Sequence, residues 1–237
     1  MGSGDGRRSG PRTSGSFVRD NGLSLFFLTI FLLALLGQAI SGHRLANDEE
    51  LQHGGSTMSL ADFLLSPDFA RAVLENWQSE YLQFLLYVVA TVWLVQRGSP
   101  ESKPRGRAGT ESEEDQRIGA HAEADSPRWA RLGGWRTRLY SNSLALVMGL
   151  IFLASWAIQS VAGWKTFNSS RIDHDQATIA WTGYLVEPEF WESTFQNWQS
   201  EFLAVGSMAV LSVYLRQRGS PESKPVGASH GATGTEG

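Results

Sequence analysis

Asn76-Trp77-Gln78-Ser79-Glu80 recurs as Asn197-Trp198-Gln199-Ser200-Glu201, and Gln96–Pro104, QRGSPESKP, recurs residue for residue as Gln217–Pro225. Both pairs are offset by 121 positions. The same offset carries Asn21 to Asn142, Gln38 to Gln159, Gly42 to Gly163, His53 to His174, Pro67 to Pro188 and Phe69 to Phe190, with no insertion. Chance convergence of two apolar segments does not produce such a gap-free register, so the reading is a tandem duplication of one unit.

Working outward, each copy opens on an uncharged apolar block. The first is Leu23–Ile40, LSLFFLTIFLLALLGQAI, and its partner is Ser143–Ala162, SLALVMGLIFLASWAIQSVA. At 1.5 Å per residue, about 18 to 20 residues span a bilayer core, so both read as transmembrane helices. A second apolar block follows the Asn-Trp-Gln-Ser-Glu run in each copy, Leu82–Val95 and Phe202–Leu215. Each is short by itself. Extended through Trp77 or Trp198, with aromatic rings at headgroup depth, each approaches a full span.

Charge decides between two spans and four. Arginines precede the first block of each copy (Arg19; Arg136 and Arg138), and both copies end in Gln-Arg-Gly-Ser-Pro. Of 20 lysines and arginines, 16 fall in the N-terminal arm, the central linker and the tails, and four in the hairpin loops. Positive flanks belong on the cytoplasmic side, so each copy crosses an even number of times. The expected fold is an all-α membrane protein with four transmembrane helices in two tandem, parallel-repeat hairpins, both termini cytoplasmic and the loops extracytoplasmic. The expected organisation is a disordered arm at 1–16, repeat 1 at 17–104 with spans near 22–41 and 77–96, and a charged cytoplasmic linker at 105–137. Repeat 2 follows at 138–225, with spans near 143–162 and 198–217, and a disordered tail at 226–237. A cleaved signal peptide, with Arg7, Arg8, Arg12 and Arg19 as its basic region, competes for the first block. The matching internal block cannot be one, which favours a retained helix.

Composition excludes several classes. The mean hydropathy of −0.19 conceals the apolar blocks. A net charge of −4 with dispersed arginines gives no reason to expect nucleic acid as a partner. The absence of cysteine rules out thiolate chemistry and Cys-ligated metals. No nucleophile–base pair, cofactor motif or metal-ligand spacing occurs, so no enzyme, cofactor or metal is expected; Asp173-His174-Asp175 has no supporting ligand spacing.

The residues that could carry function are polar ones at membrane depth. Asn76 and Glu80 share a helical face, and Asn197 and Glu201 repeat them. Gln38 and Gln159 sit near the outer ends of their own spans. Together the six form a candidate cluster. It reads as helix–helix glue or as an ion path, since intramembrane carboxylates are costly and often mark such paths. The tails give a second candidate, Arg97, Glu101, Lys103 and Arg218, Glu222, Lys224. Identity over nine residues exceeds what helix termination needs, which suggests docking of a cytoplasmic protein partner. Around Ser126–Arg138, Trp129, Leu132 and Trp135 alternate with arginines. That stretch reads as a positive flank or as a short amphipathic segment on the inner surface.

The combination of Asn21-Gly22-Leu23-Ser24-Leu25, Gly37-Gln38, Glu75-Asn76-Trp77-Gln78-Ser79-Glu80 and Gln96–Pro104 resembles a family of uncharacterised bacterial integral membrane proteins, over residues 17–104 and 138–225. Copy two departs from it at Ile158, opposite Gly37, and at Gln196, opposite Glu75. The resemblance implies the bacterial inner membrane and carries no activity with it. The reading is a non-enzymatic structural or interaction component of the bilayer. The alternative is a small channel or transporter for ions or protons using Glu80 and Glu201.

Overall fold

A computed structural model describes residues 14–235, and among them every regular element is helical. The elements are α1 (Ser14–Asp20), α2 (Gly22–Gln52), α3 (Leu60–Leu64), α4 (Pro67–Trp93), α5 (Arg128–Arg131), α6 (Gly134–Ser141), α7 (Ser143–Asp173), α8 (Trp181–Tyr184) and α9 (Pro188–Tyr214). Of the arm expected to be disordered, residues 1–13 lie outside the described residues and 14–16 belong to α1.

α2 and α7 are 31 residues each. Leu, Ala and other helix formers fill them and no proline interrupts them. At 1.5 Å per residue each is about 46 Å long. Both end on a histidine whose ring Nδ1 donates to the carbonyl four residues back, His53 to Glu49 O (2.8 Å) and His174 to Ser170 O (2.7 Å). The next residue in each case is left-handed, Gly54 at φ 77° and Asp175 at φ 55°. This is how a helix ends when a side chain and a left-handed residue take over its last carbonyls.

Among the described residues two helices are long and apolar enough to cross a membrane, α2 and α7. The second and fourth expected spans fall in α4 and α9, which are 27 residues each. These two fall short of that apolarity because their first halves carry the Asn-Trp-Gln-Ser-Glu runs and further carboxylates, Asp68 and Glu75 in one, Glu189 and Glu192 in the other. They also stop three residues before the expected ends at 96 and 217.

The described residues form two compact units, divided between Phe69 and Ala70. In the first, α3 folds back on α2. The Phe63 ring lies against Gly42, where a Cβ would come within 2.9 Å of Cζ, and it meets His43 and Phe69 at 5.9 and 5.4 Å between centroids. In the second, Tyr184 of α8 lies against Gly163 of α7, where a Cβ would be 2.5 Å from the hydroxyl. Tyr184 also meets Phe167 and Phe190 at 5.4 and 5.6 Å. α7 and α9 pack through an aromatic wall: Trp156 touches Phe190, Trp191 and Trp198, with centroids 6.0 to 6.4 Å apart. Leu85 of α4 lies over Gly149 of α7.

Candidate functional site

Three constructions tie the elements together through polar side chains. The first closes each loop. Asn47 of α2 accepts from Met58 N (2.7 Å) through Oδ1 and donates to Met58 O (3.2 Å) through Nδ2, while His43 Nε2 donates to the same carbonyl at 2.8 Å. In the second unit Asn168 of α7 does the same to Ile179, with N–O distances of 2.9 Å in both directions, and Trp164 Nε1 donates to that carbonyl at 2.8 Å. The carboxamide suits this work because it offers a donor and an acceptor side by side. Sequence reasoning missed both asparagines, because each binds backbone 11 residues away and so leaves no spacing motif.

The second construction is a polar seam between α4 and α9. Arg71 Nε donates to Glu75 Oε1 (2.8 Å) along α4, and Arg71 Nη1 crosses to Glu189 Oε1 (3.1 Å). Ser193 Oγ of α9 donates to Glu75 Oε1 at 2.7 Å. One turn further on, Trp198 Nε1 donates to Gln78 Oε1 at 2.8 Å. Gln78 is fully buried, and its Nε2 donates to Glu75 O within its own helix.

The expected six-residue cluster does not assemble on this seam. The buried face of α4 is Gln78, Ser79 and Leu82, whereas Asn76 and Glu80 are exposed. Asn76 and Asn197 each donate to a carbonyl four residues back in their own helix, Ala72 O and Ser193 O. Glu201 and Gln38 are half-buried, Gln38 in the first unit. Only Gln159 of the six is buried, and its Oε1 has no hydrogen-bond partner among the described residues. The shared helical face of Asn76 and Glu80 is real. Trp198 takes the neighbouring Gln78 instead, while Glu80 and Glu201 lie close enough to interact electrostatically.

The third construction is the repeated tail. In both copies the backbone turns at a left-handed glycine, Gly98 at φ 89° and Gly219 at φ 81°. A serine hydroxyl then closes the loop: Gln96 N donates to Ser102 Oγ and Gln217 N to Ser223 Oγ, each at 2.9 Å. The following lysine reaches downstream carbonyls. Lys103 Nζ donates to Gly109 O (3.1 Å) and pairs with Glu111 (3.1 Å). Lys224 Nζ donates to Ser229 O, His230 O and Ala232 O, at 3.0 to 3.2 Å. Lys224 is 1% exposed. Burial, and then the charge of Arg216, pull its pKa below the usual lysine value, yet three acceptors engage all three donors of the ammonium. Residues 226–235, expected to be disordered, therefore form turns around this ammonium. They also join the first tail, through Gly98 N to Thr233 Oγ1 (2.8 Å) and Gly234 N to Ser99 O (3.1 Å). Of the expected docking residues, Arg97, Glu101, Arg218 and Glu222 are exposed, and Glu101 accepts from the Tyr87 hydroxyl. Lys224 is buried and Lys103 half-buried. Ser102 and Ser223, which the sequence does not single out, close both loops.

No curated protein and no solved structure matches this chain. A family model does, over residues 14–235, which is nearly the whole length. The chain therefore belongs to the family described as a domain of unknown function, DUF6766.

Proposed function

We propose that the protein is a multipass component of the bacterial inner membrane, non-enzymatic, with a structural or interaction role. In this reading its four long helices cross as two parallel hairpins derived from one duplicated unit, with termini and linker cytoplasmic and loops outside. One observation carries it. The apolar runs of α2 and α7 are little buried, 6% and 17% of each. Leu23, Leu33 and Leu150 are 74%, 63% and 69% exposed, and Phe26, Phe27, Leu36, Leu146 and Leu153 are exposed with them. Surfaces of this size are not left to water in soluble monomers, and hydrocarbon is the solvent that suits them. The four-span version is supported by the length of α4 and α9 and by Phe84, Leu86, Leu203 and Leu211 exposed along their second halves. The duplication is supported by element bounds that recur at the same 121-residue offset: α2 to α7 and α4 to α9, at both ends.

An interaction role is supported by the tails, which hold a fixed shape and present Arg97 and Arg218 outward for a cytoplasmic protein partner. An ion path through Glu80 and Glu201 is favoured less, since Glu80 is exposed.

The cysteine-free chain makes the test direct. Single cysteines replace Asp48, Asp175, Glu113 or Glu123 in the full chain, expressed in bacteria. A membrane-impermeant maleimide should label the first two in intact cells, and the last two only after permeabilisation. Labelling of Asp48→Cys and Glu113→Cys alike in intact cells would overturn the hairpin topology. Release of the protein by alkaline carbonate would overturn membrane residence itself.

A further inference from the structure

α5 and α6 lie immediately before the apolar run of α7, in the sequence Ser126–Asn142, SPRWARLGGWRTRLYSN, which holds four arginines and no carboxylate. The stretch is folded rather than extended. Gly133 and Gly134 both take positive φ, 70° and 65°, a conformation glycine adopts without penalty. The chain therefore reverses between α5 and α6, and Thr137 Oγ1 locks the reversal by donating to Trp129 O at 2.7 Å. As a result the Trp129 and Trp135 rings meet edge to face at 6.3 Å, and the Arg136 guanidinium sits 5.4 Å from the Trp135 ring centre.

This corner presents two chemistries outward together. Trp129, Leu132, Trp135, Leu139 and Tyr140 are all exposed, Trp135 at 66%. Arg128, Arg131, Arg136 and Arg138 are exposed as well, and none of the four forms an ion pair among the described residues. Of the nearest carboxylates upstream, Glu123 is engaged by Arg117 and Asp125 lies just outside the stretch. Asn142 then joins α6 to α7, so the platform is continuous with the start of an apolar helix. The aligned stretch ahead of α2 has arginines but no tryptophan, so the aromatic half belongs to the second copy alone.

We propose that α5 and α6 form a platform that binds the phosphate headgroups of anionic phospholipids in the inner leaflet. It rests on the membrane reading above. Charge complementarity and continuity with α7 select the occupant: unpaired guanidiniums offer paired donors to phosphate oxygens, and indole rings beside them fit the headgroup layer. An acidic protein would match the charges and leave two tryptophans and two leucines in water.

The test uses the full chain purified in detergent, with phosphatidylglycerol or phosphatidylcholine added, and lipid retention read by native mass spectrometry. Wild-type protein should retain phosphatidylglycerol at least tenfold more tightly, about 1.4 kcal/mol. Arg128→Gln, Arg131→Gln, Arg136→Gln and Arg138→Gln together should abolish that preference. If the fourfold variant does not fold, the pairs 128/131 and 136/138 are read the same way, and each should reduce it. Wild-type protein that treats the two lipids alike overturns the proposal, and so does a preference that survives substitution. Glycerol 3-phosphate binding as tightly as phosphatidylglycerol would move the site to a soluble anion and overturn it too. Carbonate extraction of the membranes before solubilisation reports separately on membrane residence.

Discussion

The two loop closures can be compared position by position. Asn47 and Asn168 hold backbone in the same way, and Gly42 and Gly163 each receive a ring. Around this common frame the chemistry differs. His43 and Phe63 in the first unit are replaced by Trp164 and Tyr184 in the second, and Leu35 by Trp156. The second closure is built from larger rings that each carry an N–H or O–H, and it joins an aromatic wall reaching α9. The lesson is a division of labour. Asparagine and glycine set the geometry, and the surrounding side chains set what the closure packs against.

The largest effect expected is at the glycines. Gly163→Val and Gly42→Val put a Cβ 2.5 Å from the Tyr184 hydroxyl and 2.9 Å from the Phe63 ring. Each should cost about 2 to 3 kcal/mol by overpacking, the Gly163 variant more. Thermal unfolding in detergent measures it, and an indifferent Gly163→Val would mean that the closure does not form.

Next come the tail lysines. Lys224→Met strips donors from three carbonyls inside a folded tail, and about 2 kcal/mol is expected. Lys103→Met, at a half-exposed lysine with one carbonyl and one surface carboxylate, should cost under about 1 kcal/mol. Proteolysis of residues 226–235 should accelerate only in the first variant. Equal effects would remove the distinction between the tails.

A similar loss, about 1 to 2 kcal/mol, is expected for Asn47→Ala and Asn168→Ala, each losing two hydrogen bonds to backbone. Here equality is the prediction, and protease sensitivity of 53–59 and 174–180 reads it. The seam comes next. Arg71→Gln should cost about 1 kcal/mol, since both of its carboxylate partners are only partly buried.

The smallest effect near neutral pH is at Tyr184, where the contribution shows as an alkaline pH dependence. Burial pushes the Tyr184 phenol up to about 12. The folded form therefore holds its proton where an unfolded tyrosine, near 10, has lost it. The stability from this is fully present below pH 10 and declines as pH rises toward 12. Tyr184→Phe, which reproduces Phe63 of the first unit, should remove that alkaline loss and one late step in a tyrosinate absorbance titration. An unchanged titration would mean that Tyr184 is not enclosed.

How much of this could be read in the sequence follows from the range of each interaction. α2 and α7 were legible because uncharged runs act locally. The recurring Asn-Trp-Gln-Ser-Glu and its helical face were legible, but spacing along a helix does not say which face a neighbour chooses. That choice depends on Trp198 reaching Gln78, 120 residues away. The tails looked like a recognition motif because their identity was visible, while the bond from Gln96 N to Ser102 Oγ that gives the identity a local purpose was not. The seam leaves no signature either. The positions aligned with Arg71 and Glu75 in α9 are Glu192 and Gln196, so the pairing is one-way.

The length of α2 has a mechanical consequence. If it is seated with Leu23–Ile40 in hydrocarbon, about 18 Å of unbroken helix continues beyond, carrying the Asn47 closure at its end. Membranes of different thickness are accommodated by tilt, and a helix about 46 Å long tilted by about 20° swings its far end roughly 16 Å sideways. A stiff mast of this kind turns a small adjustment to bilayer thickness into a large lateral displacement of whatever the loop holds.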